Sequence, residues 1–116
     1  MQNEKKWLKL LGERPCVITG SNYTQLHHVA GRTYKHHKVL IGPWFVLPLA
    51  VELHDVSSNH PLNVTHHRKL FSAEYGSQAI LWFDMVLDIE CDLYCRRIKN
   101  NFFGMDVVEA ILDTRF

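Results

Sequence analysis

Eight histidines occur in this sequence, and all of them lie in about a third of the chain. They are His27, His28, His36, His37, His54, His60, His66 and His67. Histidine is the usual nitrogen ligand of transition metals and the usual general base near neutral pH. Such a concentration of histidines predicts a metal site with a neighbouring base. The alternative is a set of surface loops whose exposed histidines have no chemical role.

The tandem pair His27-His28 follows a segment that we predict to be a strand. Neighbouring side chains on a strand point to opposite faces unless the backbone bends. One imidazole of the pair could therefore face a metal ion while the other faces an incoming substrate. A metal ligand must be held rigidly, whereas a general base needs an uncoordinated ring nitrogen. His54 and either His66 or His67 would complete a three-ligand site with positions open for a phosphate and water.

Basic side chains flank these histidines, although the formal net charge is only +1. This balance excludes a protein that binds nucleic acid through a strongly basic composition, so phosphate contacts would have to come from local clusters. We predict nucleic-acid contacts for Arg32, Lys35, Lys38, Arg68 and Lys69, with a solvated loop surface as the alternative. His36 and His37 lie in the basic turn "YKHHK", where phosphate contact and plain exposure are equally open.

The elements that would position the histidines begin with a helix and several short strands. The sequence predicts an amphipathic helix over residues 3–11, which stops before Pro15. β-Branched and apolar runs predict strands over residues 17–19, 25–30, 39–41 and 44–47. Gly42 and Pro43 would form the bend between the last two strands.

The second half of the chain is predicted to be helical. Pro48 would open a short helix over residues 49–54, and Thr65 would cap another that stops at Gly76. Apolar spacing predicts a long helix over residues 77–100 with Cys91 and Cys95 buried in it, and a last helix from residue 104 onward. The length of 116 residues and the 47% hydrophobic content predict a single domain over residues 1–116.

No apolar run approaches the length of a membrane span, and the N-terminus has no pattern typical of a secretory signal. We therefore predict a cytoplasmic protein with no membrane partner. The three cysteines show neither a CxxC motif nor a disulfide framework, so we expect reduced thiols.

Several short motifs follow one another between Cys16 and Gly76, about half of the chain. They are "CVITG", "LHHVAG", "VLPL", "LHD" and "THHRKLFSAEYG". Their order and spacing resemble the HNH nucleases with a ββα-metal (His-Me finger) core, and more narrowly the phage recombination-enhancement, RecA-dependent nuclease group. The resemblance implies a small α+β domain with an HNH-like core over about residues 16–76. An N-terminal helix and a helical extension over about residues 77–116 would surround that core.

The resemblance also implies roles for individual residues. His27, His54 and His66 would be metal ligands, with His67 as the alternative to His66, and His28 would be the general base. The cofactor would be one divalent metal ion, zinc, manganese, nickel or magnesium. Imidazole ligands suit the first three, whereas magnesium prefers oxygen.

The function implied is a metal-dependent DNA endonuclease or nickase that acts in phage recombination or DNA processing. Its partners would be DNA and a recombinase such as RecA, in the cytoplasm of a bacterial host. Two elements of the family pattern are not found: Trp44 and Phe45 stand where the middle asparagine is expected, and no CxxC zinc knuckle is present. The alternative is therefore a catalytically inactive HNH-like module that binds DNA or protein and whose histidines are structural.

Overall fold

The computed structural model describes residues 2–99 and 102–116. Its elements, in chain order, are α1 (Gln2–Gly12), β1 (Thr24–His28), β2 (Lys35–His36), β3 (Val39–Leu40), β4 (Val46–Ala50), α2 (Val51–His54), α3 (Arg68–Tyr75), α4 (Gln78–Cys95) and α5 (Met105–Leu112). Helices and antiparallel strands share one hydrophobic core, so the predicted α+β class is confirmed. Within the described residues, no helix has both the length and the apolar character needed to cross a membrane.

The strands form two separate antiparallel pairs. β1 pairs with β4, which places His28 opposite Val46 and Leu26 opposite Pro48. Helix α2 follows β4 without a loop and packs against both strands. The other pair, β2 and β3, is a short hairpin that packs against α5.

Strand β4 lies at the centre of the core, because all five of its residues are buried. Helix α1 covers both β1 and β4. Just before β4, the carbonyl oxygen of Trp44 accepts hydrogen bonds from the indoles of Trp7, at 3.0 Å, and Trp82, at 2.8 Å. A buried indole N–H needs such a partner, and this shared acceptor joins α1 and α4 to the start of β4.

Most predictions for the N-terminal half are confirmed, although the strand predicted over residues 44–47 lies at Val46–Ala50, the strand Lys35–His36 is not predicted and one predicted strand is not formed. The first helix and the strand near residues 25–30 are present as α1 and β1, whereas residues 17–19 form a turn. The sulfur of Cys16 accepts hydrogen bonds from the backbone N–H groups of Ile18 and Thr19, both at 3.3 Å. These local bonds occupy donors that a strand would offer to its neighbour, so the β-branched run does not become a strand.

Two predicted helix starts are wrong. Pro48 does not open a helix but lies inside β4, where a proline is tolerated because the strand has only one paired neighbour. Thr65 does not cap α3, since its hydroxyl donates to the carbonyl oxygen of His54 at 2.5 Å and α3 begins at Arg68. The stop at Gly76 is confirmed, with φ of 96° at this residue.

The long helix is shorter than predicted, because α4 ends at Cys95 and Arg97 is left-handed, with φ of 57°. The predicted end at residue 100 lies outside the described residues. The prediction that Cys91 and Cys95 are buried is wrong, since both are exposed. The buried apolar face of α4 is formed by Ala79, Trp82, Met85, Val86, Ile89 and Leu93, which leaves the two cysteines on the opposite side.

Gly42 is the position where the chain after β3 touches the turn that follows β1. A Cβ atom here would overlap the backbone carbonyl oxygens of Gly31 and Arg32. Because backbone atoms cannot move aside as a side chain can, we expect Gly42→Ala to lower the free energy of unfolding by about 2 kcal/mol. Gly12→Ala is the matched control, because nothing lies within 4 Å of its added Cβ. Equal urea midpoints for the two variants would contradict this account of the turn.

Candidate metal and catalytic site

Two elements bring three of the predicted histidines together. His27 and His28 end β1, and His54 ends α2, which packs on β1. The ring centroids of His27 and His54 are 4.9 Å apart, and their planes are inclined at 57°. Two imidazoles that share one metal ion at about 2.1 Å from each nitrogen have centroids about 5 Å apart. The spacing of this pair therefore fits two ligands of one ion.

A glutamine determines which nitrogen of His54 carries the proton. The Nδ1 atom of His54 lies 2.7 Å from the Oε1 atom of Gln25. Gln25 donates through Nε2 to the carboxylate of Asp55 at 3.3 Å, which fixes the orientation of its amide. Nδ1 of His54 must therefore donate to the amide oxygen, and Nε2 keeps the lone pair that a metal needs.

A second glutamine has the same relation to His27. The Nε2 atom of His27 donates to Oε1 of Gln78, at 2.9 Å. Gln78 begins α4 and is 1% exposed, whereas His27 is half-buried, so this contact lies at the edge of the core. Burial, reinforced by the charge of neighbouring His54, lowers the pKa of His27 to about 4. The ring is therefore neutral at pH 7, with its lone pair on Nδ1.

His28 differs from both neighbours because one of its ring nitrogens has no partner. Its Nε2 atom is buried and accepts no hydrogen bond from, and donates none to, the described part of the chain. Burial lowers the pKa of His28, and the carboxylate of Glu4 partly opposes this effect. A neutral imidazole with an uncommitted nitrogen meets the chemical requirement for a general base.

An ion pair between Glu4 of α1 and Arg32 affects the electrostatics of His28. Glu4, 4% exposed, accepts two hydrogen bonds from Arg32, at 2.7 and 3.2 Å. Hydrogen bonding to this guanidinium holds the pKa of Glu4 below its usual range. The side chain of Arg32 is 67% exposed, so the ion pair links the buried carboxylate of Glu4 to a guanidinium in contact with solvent. Sequence reasoning missed Glu4, although its spacing from Trp7 and Leu11 places it on the buried face of α1.

His66, the predicted third ligand, is engaged elsewhere. Its Nε2 atom donates to the carbonyl oxygen of Val56 at 2.7 Å, and both His66 and His67 are exposed. Within residues 2–99 and 102–116, the ligand atoms of His66 do not form a compact group with those of His27 and His54. Its role as a ligand stays a prediction, and it would require the ring to leave Val56.

Asn63 is a buried polar residue that sequence reasoning missed. It is 0% exposed, and its Nδ2 atom donates to the carbonyl oxygens of Glu52, at 3.2 Å, and Asp55, at 2.9 Å. Its Oδ1 atom accepts from the backbone N–H groups of Thr65, at 2.8 Å, and His66, at 3.2 Å. One side chain thus ties the end of α2, which carries His54, to the segment before α3.

The five basic residues predicted to contact nucleic acid are all exposed, namely Arg32, Lys35, Lys38, Arg68 and Lys69. Two belong to the β2–β3 hairpin and two begin α3. The guanidinium carbon of Arg68 lies 5.4 Å from the ring centroid of Phe116. Exposure leaves these cations accessible to phosphate groups, and the contact with nucleic acid stays a prediction.

Comparison with known proteins identifies the family of the chain. The family model described as "Protein of unknown function (DUF968)" matches residues 1–93. Since this match covers most of the 116 residues, the chain belongs to that family. No curated protein and no solved structure matches the chain. The family description names no activity, so the function has to be argued from the site.

Proposed function

We propose that this protein is a metal-dependent DNA endonuclease or nickase of the HNH type, with His28 as its general base. The observation that carries the proposal is the His27–His54 pair, with ring centroids 4.9 Å apart, together with the unpartnered nitrogen of the next residue in the strand, His28. The arrangement of β1, β4 and α2 supports a ββα-metal core, because the tandem histidines end the first strand and His54 ends the helix. Phage recombination or DNA processing, with a recombinase such as RecA as partner, is the process we propose.

His27 and His54 would hold one divalent metal ion. Each ring has one nitrogen committed to an amide oxygen and a lone pair on the other, which is the usual state of a metal-bound histidine. Neutral imidazoles suit zinc, nickel or manganese better than magnesium. When bound, the ion would act as a Lewis acid that stabilises the charge developing on the phosphate. His66 would supply a third ligand if its ring turned toward the pair.

The remaining chemistry belongs to the chain's own side chains. Nε2 of His28 would accept a proton from a water molecule whose oxygen bonds to phosphorus, while the bond from phosphorus to the 3′ oxygen breaks. This nitrogen has no hydrogen-bond partner within the described residues, which leaves it free to accept the proton. The exposed guanidinium of Arg32, held by Glu4, would neutralise a phosphate near the base.

A second candidate function has an observation in its favour. His27 and His54 each have a glutamine as hydrogen-bond partner, as half-buried structural imidazoles should. In that case the chain would be an inactive HNH-like module that binds DNA or protein. The two functions differ in whether a divalent metal produces cleavage.

Plasmid nicking tests the proposal. Purified protein would be incubated with supercoiled plasmid and zinc, manganese, nickel or magnesium, with and without a recombinase filament. We expect nicked circles with at least one metal and none when a chelator is added. Binding of DNA without cleavage under every condition would contradict the nuclease and favour the binding module.

The glutamine behind His54 provides a prediction about metal affinity. Gln25→Leu removes the acceptor for Nδ1 of His54, so the ring is no longer fixed in the metal-binding tautomer. We expect about a 10- to 100-fold loss of zinc affinity in calorimetric titration. Gln25→Glu is the control, because a carboxylate preserves an acceptor for Nδ1 although it loses the hydrogen bond to Asp55, so the affinity should fall less than in Gln25→Leu. Equal weakening by both substitutions would mean that packing, and not this hydrogen bond, matters.

A further inference from the structure

A second histidine pair lies at the tip of the β2–β3 hairpin and has no part in the proposed nuclease site. His36 ends β2, and His37 and Lys38 form the turn, with φ of 48° and 68°. Two-residue hairpin turns with positive φ at both positions favour Asn-Gly, because other residues adopt this conformation at a cost. The backbone therefore holds both turn residues in a conformation that is uncommon for residues other than glycine.

Asp113, the residue that follows α5, completes a cluster with this pair. Its Oδ2 atom accepts a hydrogen bond from Nε2 of His36 at 2.9 Å and another from Nε2 of His37 at 3.0 Å. The two imidazole centroids are 4.2 Å apart, and all three ligand atoms lie within 4.8 Å of one another. Two nitrogens and one carboxylate oxygen thus lie close enough to one another to be ligands of one metal ion.

The hydrogen bonds of this cluster contribute little to stability by themselves. The side chains of His37 and Asp113 are 76% and 62% exposed, whereas that of His36 is 20% exposed. Contacts between exposed polar groups stabilise a fold very little, because water and salt screen them. A ligand that binds all three groups would add stabilisation that these contacts do not supply.

We propose that His36, His37 and Asp113 form a second binding site, for a divalent transition metal. Two imidazoles and one carboxylate suit zinc, nickel, cobalt or copper, whereas magnesium and calcium prefer oxygen ligands alone. Ligand atoms about 2.1 Å from a tetrahedral ion are separated by about 3.4 Å, so the three groups need to move only slightly. The ion would replace the protons that now lie between the imidazoles and the carboxylate.

The position of this site indicates what the ion would do. It would fasten the hairpin, which carries Lys35 and Lys38, to the end of α5. Three protein ligands leave a fourth position open, and the cluster lines a cavity of about 510 Å³ together with Arg68 and Arg115. Those guanidinium groups favour an anion as the fourth ligand. The inference does not depend on the proposed nuclease activity.

Metal stoichiometry tests the second site separately from the first. Metal-free protein would be divided into two portions. One is dialysed against zinc for metal analysis, and the other is titrated with cobalt, whose absorption reports coordination by nitrogen. We expect two equivalents in the wild type and one in the His27→Ala/His54→Ala variant. In that variant, adding His37→Ala or Asp113→Asn should weaken the remaining site by more than about 10-fold, since even an outer partner of a ligand contributes that much.

Two controls address adventitious binding by other side chains. His60→Ala removes a half-buried histidine that belongs to neither proposed site, and Asp84→Asn removes an exposed carboxylate from α4. Both should leave the second equivalent unchanged. Equal weakening by His60→Ala and His37→Ala, or a metal content that Asp113→Asn does not alter, would overturn the inference.

The two proposals fail in different ways. If the wild type binds one equivalent that His37→Ala removes and His27→Ala/His54→Ala does not, the second site stands and the first falls. If the one equivalent is lost only in His27→Ala/His54→Ala, the second site is overturned. His37→Ala and Asp113→Asn are also measured singly in the wild type, so a folding defect of the double variant cannot hide either result.

Discussion

Replacing His28 with alanine is expected to slow metal-dependent plasmid nicking by at least about 100-fold, the lower end of what a positioned general base contributes. The unpartnered Nε2 atom of this residue would be lost, while the Gln25 and Gln78 contacts of the neighbouring histidines would remain. Metal affinity should therefore stay close to that of the wild type. Single-turnover nicking rates and zinc titration of the same preparation measure the two effects.

His60→Ala is the control for this experiment. His60 is half-buried, and its Nδ1 atom accepts a hydrogen bond from the backbone N–H of Leu62, at 3.0 Å. It takes no part in the proposed chemistry, so its removal should leave the nicking rate unchanged. Wild-type nicking by metal-loaded His28→Ala would require a different base.

Replacing Asn63 with alanine is expected to lower the free energy of unfolding by about 3 kcal/mol. The side chain is fully buried and makes four hydrogen bonds to backbone groups. Alanine would leave two carbonyl oxygens and two N–H groups without these partners and would open a cavity. Because two of the bonds hold the end of α2, the position of His54 should loosen and zinc affinity should also fall.

Asn59→Ala is the matched control for Asn63, since Asn59 is exposed in the same loop. Its removal should change the stability by less than about 0.5 kcal/mol, as is usual for surface positions. Urea unfolding of the three proteins gives the comparison. If Asn63→Ala lowers the free energy of unfolding by less than about 1 kcal/mol, water replaces the lost hydrogen bonds and Asn63 does not hold α2 to the segment before α3.

The candidate site could be predicted in part because some of its determinants are local. The strand before His27 and the helical turn that carries His54 follow from neighbouring residues, so these histidines were foreseen as a group. Their hydrogen-bond partners were not foreseen. Gln78 is 51 residues from His27, and the approach of α4 to β1 depends on how the whole core packs.

The prediction failed where side chains compete with the backbone for hydrogen bonds. The run at residues 17–19 has the composition of a strand, yet the sulfur of Cys16 takes its N–H groups. Threonine is a residue type typical of a helix N-cap, yet the hydroxyl of Thr65 donates to the carbonyl oxygen of His54. In both cases the deciding contact is a hydrogen bond between a side chain and the backbone, which secondary-structure propensities do not take into account.

The hairpin cluster could not be predicted from sequence for a different reason. His36 and His37 occur in a basic turn that indicates either phosphate contact or exposure. Their partner Asp113 is 77 residues from His36, at the end of a helix with no sequence relation to the turn. Only the packing of α5 on β3 brings the carboxylate to both imidazoles.

Metal content and nicking, measured together in one sample, test the central claim most directly. The samples are the wild type, His28→Ala and His27→Ala/His54→Ala, each loaded with the metal that supports the fastest nicking. We predict that His28→Ala keeps the full metal content without cutting, and that His27→Ala/His54→Ala loses one equivalent and does not cut. Nicking by His27→Ala/His54→Ala at the wild-type rate would contradict the claim that these histidines hold the metal of a nuclease.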